Sequence, residues 1–213
     1  SEQDNALEFV TGKIIDNQVV LNLDHFSKYI ILESNKTFED IANHWAKLYV
    51  ESMVAKNVIH GYSDETFRPN DEITRAEFVV MMINGLETEL VGYKGQFTDV
   101  SADEWYADYI ATIKELGFAK GYGDGTFRPN DKITRTEAAV MLSNIIDIEL
   151  SEKEIDTLLA QFTDKDDIAA WAVEDIAKVV KAKVMEGNNG KFLSNENTTR
   201  AEVATIIYRI YNR

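Results

Sequence analysis

The sequence predicts a mainly α fold: three tandem helix–turn–helix repeats behind a short β segment. Three observations carry this expectation. An eleven-residue turn, Gly61-Tyr62-Ser63-Asp64-Glu65-Thr66-Phe67-Arg68-Pro69-Asn70-Asp71, returns 60 residues later as Gly121-Tyr122-Gly123-Asp124-Gly125-Thr126-Phe127-Arg128-Pro129-Asn130-Asp131. A Thr-x-x-Glu signal occurs at Thr74–Glu77, Thr134–Glu137 and Thr199–Glu202. Each copy opens on Phe-x-Asp (Phe38–Asp40, Phe97–Asp99, Phe162–Asp164), with a Trp a few residues later (Trp45, Trp105, Trp171). Self-similarity at a fixed period is the signature of a repeat architecture, and it orders every other reading.

From the N-terminus, Gly12 to Leu23 reads as two short strands around the polar turn Asp16-Asn17, and Phe26 to Leu32 as a third. Residues 1–37 are thus expected to be the C-terminal remnant of an upstream β module. The repeats are expected at 38–90, 97–148 and 162–213, with a linker at 149–161 that Ser151-Glu152-Lys153-Glu154 opens as a short helix. In the first helix of copy one, Trp45, Ala46, Tyr49, Val50, Met53 and Val54 form one apolar stripe at helical spacing. Trp105, Tyr106, Tyr109, Ile110 and Ile113 repeat it, as do Trp171, Ala172, Ile176, Val179 and Val180, with Asp175 breaking the last stripe. Gly61, Gly121 and Gly187 are read as the ends of these helices. The second helices start at the Thr-x-x-Glu capping boxes, where the Thr hydroxyl meets the N3 amide and the Glu returns to the cap amide. A unit of roughly 60 residues buries too little surface alone, so the three are expected to share a core.

Composition limits the function. Lys and Arg number 22 against 37 Asp and Glu, a formal charge of −15. Such a surface repels nucleic acid and anionic membranes at long range, yet allows an anionic ligand held by a few local cations. There is no cysteine, which excludes disulfides, thiolate metal sites and a cysteine nucleophile. No apolar run is long enough to span a membrane. The chain opens at Ser1 without Met or a leader-like segment, and is read as a piece of a longer parent chain. The Asp124-Gly125 turn lacks the alternating ligands and closing Glu of a calcium loop. His25, His44 and His60 have no metal-ligand spacing, and no phosphate loop or serine elbow occurs. No metal, cofactor or catalytic residue is expected. A glycan hydrolase would need paired carboxylates, but the acids that recur in all three copies are accounted for by caps and turns.

Phe-x-Asp, then Trp-Ala or Trp-Tyr, then Gly-Tyr-x-Asp-x-Thr-Phe-Arg-Pro, then Ile-Thr-Arg-Ala-Glu resembles the S-layer homology domain family over residues 38–213. The resemblance implies a pseudo-threefold helical assembly with ligand grooves between neighbouring repeats. It also implies a secreted, non-catalytic module that binds an anionic, pyruvylated secondary cell-wall polysaccharide and anchors an S-layer protein or exoprotein to the bacterial envelope. Asp24–Tyr29 resembles the end of a β module that often precedes such repeats. The third copy departs from the pattern: Leu193-Ser194 stands where Arg68-Pro69 and Arg128-Pro129 stand, and its glycine turn is one residue shorter. This puts the groove of the third copy in question.

The residues suit that ligand. Arg75, Arg135 and Arg200 fall at N1, where unpaired amides, the helix dipole and a two-pronged guanidinium could together hold a carboxylate. The alternative is a solvated first turn with a local ion pair. Asp40, Asp99 and Asp164 could accept from sugar hydroxyls or cap the following helix. Trp45, Trp105 and Trp171 could stack on a sugar or pack in the core. Gly61, Gly121 and Gly187 would let the backbone approach a ligand closely. A protein–protein module for lattice assembly, without direct glycan binding, is the competing function.

Overall fold

The computed structural model describes residues 12–15, 18–21 and 34–213. Strands β1 (Gly12–Ile15) and β2 (Gln18–Leu21) pair antiparallel, with Ile15 opposite Gln18, as the hairpin reading expects. The expected third strand at Phe26–Leu32 and the Asp24–Tyr29 resemblance lie outside the described residues.

The helical part follows the repeats. The first copy holds α1 (Lys47–Ala55) and α2 (Arg75–Gly85), the second α3 (Ala107–Glu115) and α4 (Arg135–Ser143). Then come α5 (Glu152–Leu159), α6 (Val173–Lys181) and α7 (Arg200–Tyr211). All three Thr-x-x-Glu sequences form complete capping boxes, and Ser151–Glu154 forms a fourth at the start of α5. These caps satisfy amides that would otherwise face water unpaired, which is why these helices start where the sequence marks them.

The second helix of each repeat packs on the first helix of the next: α2 on α3, α4 on α6, and α7 back on α1. This last contact closes a ring. At its centre the strand-like segments before α2, α4 and α7 interlock. Ile73 N donates to Thr198 O (3.1 Å), Thr198 N to Ile133 O (2.9 Å) and Ile133 N to Ile73 O (3.2 Å). Ile73, Ile133 and Thr198 are fully buried on this pseudo-threefold axis, and one continuous apolar core runs through all three repeats. Cooperative burial therefore supplies what each small unit lacks.

Two local readings are corrected. The first helices end before the repeated glycines: Asn57, Gly117 and Lys183 take the left-handed conformation just past α1, α3 and α6 (φ 59°, 76° and 56°). Trp45, Trp105 and Trp171 precede the helices in turns or 3₁₀ geometry, so they fall out of phase with the buried stripe headed by Ala46, Tyr106 and Ala172.

Candidate functional site

The arginines at N1 are buried, with exposures of 4% for Arg75, 5% for Arg135 and 7% for Arg200. Each reaches across to the next repeat around the ring. Arg75 Nε donates to Phe127 O (3.0 Å), and Nη1 meets Glu137 Oε1 (3.1 Å). Arg135 Nε donates to Phe192 O (2.8 Å), Nη1 to Glu202 Oε1 (2.9 Å) and Nη2 to Glu186 O (2.8 Å). Arg200 closes the ring: Nε donates to Phe67 O (2.9 Å), Nη2 to His60 O (2.9 Å), and Nη1 lies 3.7 Å from Glu77. The reading of a solvated first turn with a local ion pair is therefore corrected, because each cation is buried and pairs between repeats. Burial makes Arg135 a weaker base than usual, with Glu202 opposing that effect.

The helix-start amides are not open either. Arg75 N donates to Asp131 O, Ala76 N to Pro129 O, Arg135 N to Glu196 O, Thr136 N to Ser194 O, Arg200 N to Asp71 O and Ala201 N to Pro69 O. The Thr caps take the N3 amides. Any anion held here meets the guanidinium side chains rather than the free amides expected at N1.

Two partners of these arginines escaped the sequence reading. The capping glutamates act twice: Glu137 Oε2 returns to Thr134 N (3.0 Å), while its Oε1 takes Arg75 and the Tyr122 hydroxyl (2.5 Å). Burial alone would raise the Glu137 pKa. The bonds from Tyr122 and Thr134, with the Arg75 charge, hold it below the usual carboxylate range. Tyr122 in turn lies between two guanidinium groups, Arg128 at 4.0 Å and Arg75 at 4.9 Å from its ring centre. Tyr62 is sandwiched likewise by Arg68 (4.1 Å) and Arg200 (4.6 Å). Such stacks orient a planar cation as well as attracting it. Burial first, then the bond to Glu137, pushes the Tyr122 pKa up to about 12. The recurrence of Tyr and Arg within the duplicated turn was the available signal.

The Phe-x-Asp acids grip the turn. Asp40 accepts from Phe67 N and Arg68 N, Asp99 from Phe127 N and Arg128 N, and Asp164 from Phe192 N and Leu193 N. Burial acts against the charge of Asp164, yet the Leu193 and Phe192 amides keep its pKa below normal. These aspartates therefore tether the loop; no side-chain cap bond marks the 3₁₀ turns beside Asp40 and Asp164. Gly61, Gly121 and Gly187 have a matching reason. A Cβ there would lie 2.1, 2.3 and 2.5 Å from the rings of Phe38, Phe97 and Phe162. The glycines admit those rings.

The tryptophans are the exposed members of the set, at 60% for Trp45, 60% for Trp105 and 65% for Trp171. Of the two readings, core packing is thus excluded. A groove of about 430 Å³ joins Arg75 of the first repeat, Lys120, Tyr122 and Glu137 of the second, and Trp171 and Asp175 of the third. Arg75 Nη2 has no hydrogen-bond partner among the described residues. Asp175, which breaks the sequence stripe, lies in this groove and accepts from Ser143 Oγ (2.6 Å). A buried cation, a hydrogen-bonding wall and an exposed indole form a surface suited to an anionic ring-shaped ligand. Among the described residues no group of His, Asp and Glu is arranged to hold a metal ion, and no helix is long and apolar enough to cross a membrane.

Comparison with known proteins places this architecture. Residues 37–79, 96–139 and 161–204 each match the family model of the S-layer homology domain. An amylopullulanase of Thermoanaerobacterium thermosulfurigenes is 34% identical over 98% of this chain, which covers 11% of that relative. A cellulosome-anchoring protein of Acetivibrio thermocellus is 34% identical over 69% of the chain and 33% of the relative. An S-layer protein of Bacillus anthracis is 31% identical over 83% of the chain and 21% of its own length. The chain spans no more than a third of these three curated relatives. Three matched repeats, closed into one ring, show that the chain belongs to the S-layer homology domain family.

Proposed function

We propose that this chain is a non-catalytic anchoring module that attaches a longer protein to the bacterial cell envelope by binding an anionic, pyruvylated wall polysaccharide. A cell-surface, wall-associated location follows from the family and its S-layer relatives. The enzyme names among the relatives belong to much longer proteins, of which this chain covers a small share. The observation that carries the reading is the groove in which buried Arg75 shares a wall with exposed Trp171. A ketal carboxylate would meet the guanidinium, and the sugar face would lie on the indole. By the symmetry of the ring, the pairs that correspond to Arg75 and Trp171 are Arg135 with Trp45 and Arg200 with Trp105. Asp40, Asp99, Gly61 and Gly121 serve the ligand indirectly, by shaping the loops that present Tyr62 and Tyr122, while Asp164 and Gly187 shape the third loop in the same way.

The test is co-sedimentation with wall sacculi that retain or lack their secondary polymer. The chain pellets with the first and stays soluble with the second. Equal sedimentation with both overturns the reading, and concentration-dependent assembly without sacculi supports the lattice alternative.

A further inference from the structure

The three grooves carry different charge, and the difference falls on an unexpected arginine. The divergent loop of the third copy does not face its own Arg200. Arg200 reaches the intact loop of the first copy, through Phe67 O and His60 O, while Arg135 faces the altered loop through Phe192 O and Glu186 O. Around Arg75 stand Lys120, Tyr122 and Arg128; around Arg200 stand His60, Tyr62 and Arg68. At the matching places beside Arg135 stand Glu186, Asn188 and Leu193. The aromatic sandwich and the loop cation are gone, and a carboxylate replaces a basic side chain.

A second substitution completes the change. Asn84 and Asn144 bond the backbone carbonyls of Val58 and Phe118. The residue at that place in α7 is Arg209, whose Nη1 reaches the equivalent carbonyl, Val184 O (3.2 Å). Its Nη2 continues to Glu186 Oε2 at 2.6 Å. This ion pair ties α7 to the same loop residue whose carbonyl accepts from Arg135 Nη2 (2.8 Å). An entering carboxylate would meet Glu186 and would compete with an internal partner that loses no translational freedom on binding.

Resting on the proposed glycan function, we infer that the chain is bivalent: the Arg75 and Arg200 grooves take the anionic sugar, and the Arg135 groove is closed by the Arg209–Glu186 latch. Arg135 is then a structural cation. Two binding grooves still give wall attachment the avidity of linked sites, since one bound groove holds the other near the polymer.

Calorimetry of the whole chain with a pyruvylated monosaccharide tests this. The expected stoichiometry is two, and it falls to one in Trp105→Ala and in Trp171→Ala. Both residues are exposed, so these variants keep the fold. A wild-type stoichiometry of three, or a site lost in Trp45→Ala, overturns the latch. Absence of binding heat in the wild type, with no wall sedimentation, overturns instead the glycan reading beneath it. The double variant Glu186→Lys with Arg209→Asn removes the ion pair and places Lys and Asn where Lys120 and Asn144 line the Arg75 groove. It is expected to add binding at a third site, weak because Asn188 and Leu193 still stand in place of Tyr122 and Arg128. Stoichiometry unchanged in a folded double variant overturns the latch as the reason for closure.

Discussion

The turns of the first two repeats and the turn of the third solve the same backbone problem with different side chains. In Gly61–Asp71 and Gly121–Asp131, Asp64 and Asp124 accept from the amide and hydroxyl of Thr66 and Thr126, then pair with Arg68 (2.8 Å) and Arg128 (3.0 Å). In the third, Asn189 and Gly190 take positive φ (50° and 74°), and Asn188 and Lys191 exchange backbone bonds, making a tight Asn-Gly hairpin. Both designs deliver the same outputs. The Phe carbonyl accepts the neighbour's arginine, the Phe-x-Asp carboxylate holds the next two amides, and the following residue (Arg68, Arg128 or Leu193) is left-handed at φ 57°, 58° and 62°. The frame of Phe, Asp, Gly and Thr-Arg-x-Glu thus tolerates loss of the Tyr–Arg stack. The frame belongs to the fold, and the stack is left free for the proposed ligand chemistry.

The largest expected effects test the frame. Arg75→Ala and Arg135→Ala should each destabilise by about 3–5 kcal/mol, because each leaves a buried carbonyl and a half-buried glutamate without their cation. Urea denaturation measures this, and a near-neutral Arg135→Ala would break the claim of a shared frame. It follows that loss of wall binding in Arg75→Ala cannot be separated from loss of fold, and the exposed tryptophans are the cleaner probes. Gly121→Ala comes next. It combines a φ of +72° with a Cβ 2.3 Å from the Phe97 ring, and should cost about 1–3 kcal/mol in the same assay.

A smaller effect of opposite sign sits on the axis, where the third repeat places Thr198 beside Ile73 and Ile133. Its hydroxyl is buried without a partner, so Thr198→Val should stabilise the protein by about 1 kcal/mol, read as a higher Tm. An unchanged or lower Tm would mean that this asymmetry is not a cost.

The smallest effects appear on titration and sharpen the contrast between turns. Hydrogen bonds from Thr66 and Thr126, then Arg68 and Arg128, lower the Asp64 and Asp124 pKa values to about 2. Their contribution to stability is present above the ordinary carboxylate pKa and is lost as pH falls toward 2; the third turn has no such pair. Carboxyl NMR titration should show these two resonances moving last. At the alkaline end, the raised Tyr122 pKa means that stability is complete below pH 10, the ordinary tyrosine value, and declines as pH rises toward 12. The phenolate titration should lose its latest class in Tyr122→Phe.

Much of this was legible in sequence because it is local. The four capping boxes depend on residues three apart, and the hairpin on a short alternating run. The triplication showed itself by self-comparison. Two kinds of information were not local. The destination of each arginine depends on ring closure, so Arg200 pairs with residues more than a hundred positions away, and the divergent third loop faces Arg135 rather than the arginine of its own repeat. The tryptophans fit a helical stripe only if the helix already includes them; the turn before Lys47 breaks that phase and turns the indole outward. The partners of the helix-start amides are non-local for the same reason, since their carbonyls come from the next repeat.

The most direct measurement follows the indole N–H signals of the three tryptophans during titration with a pyruvylated monosaccharide. The account predicts that Trp105 and Trp171 shift with saturation while Trp45 stays in place. Saturable shifts at all three, or at none, would contradict it.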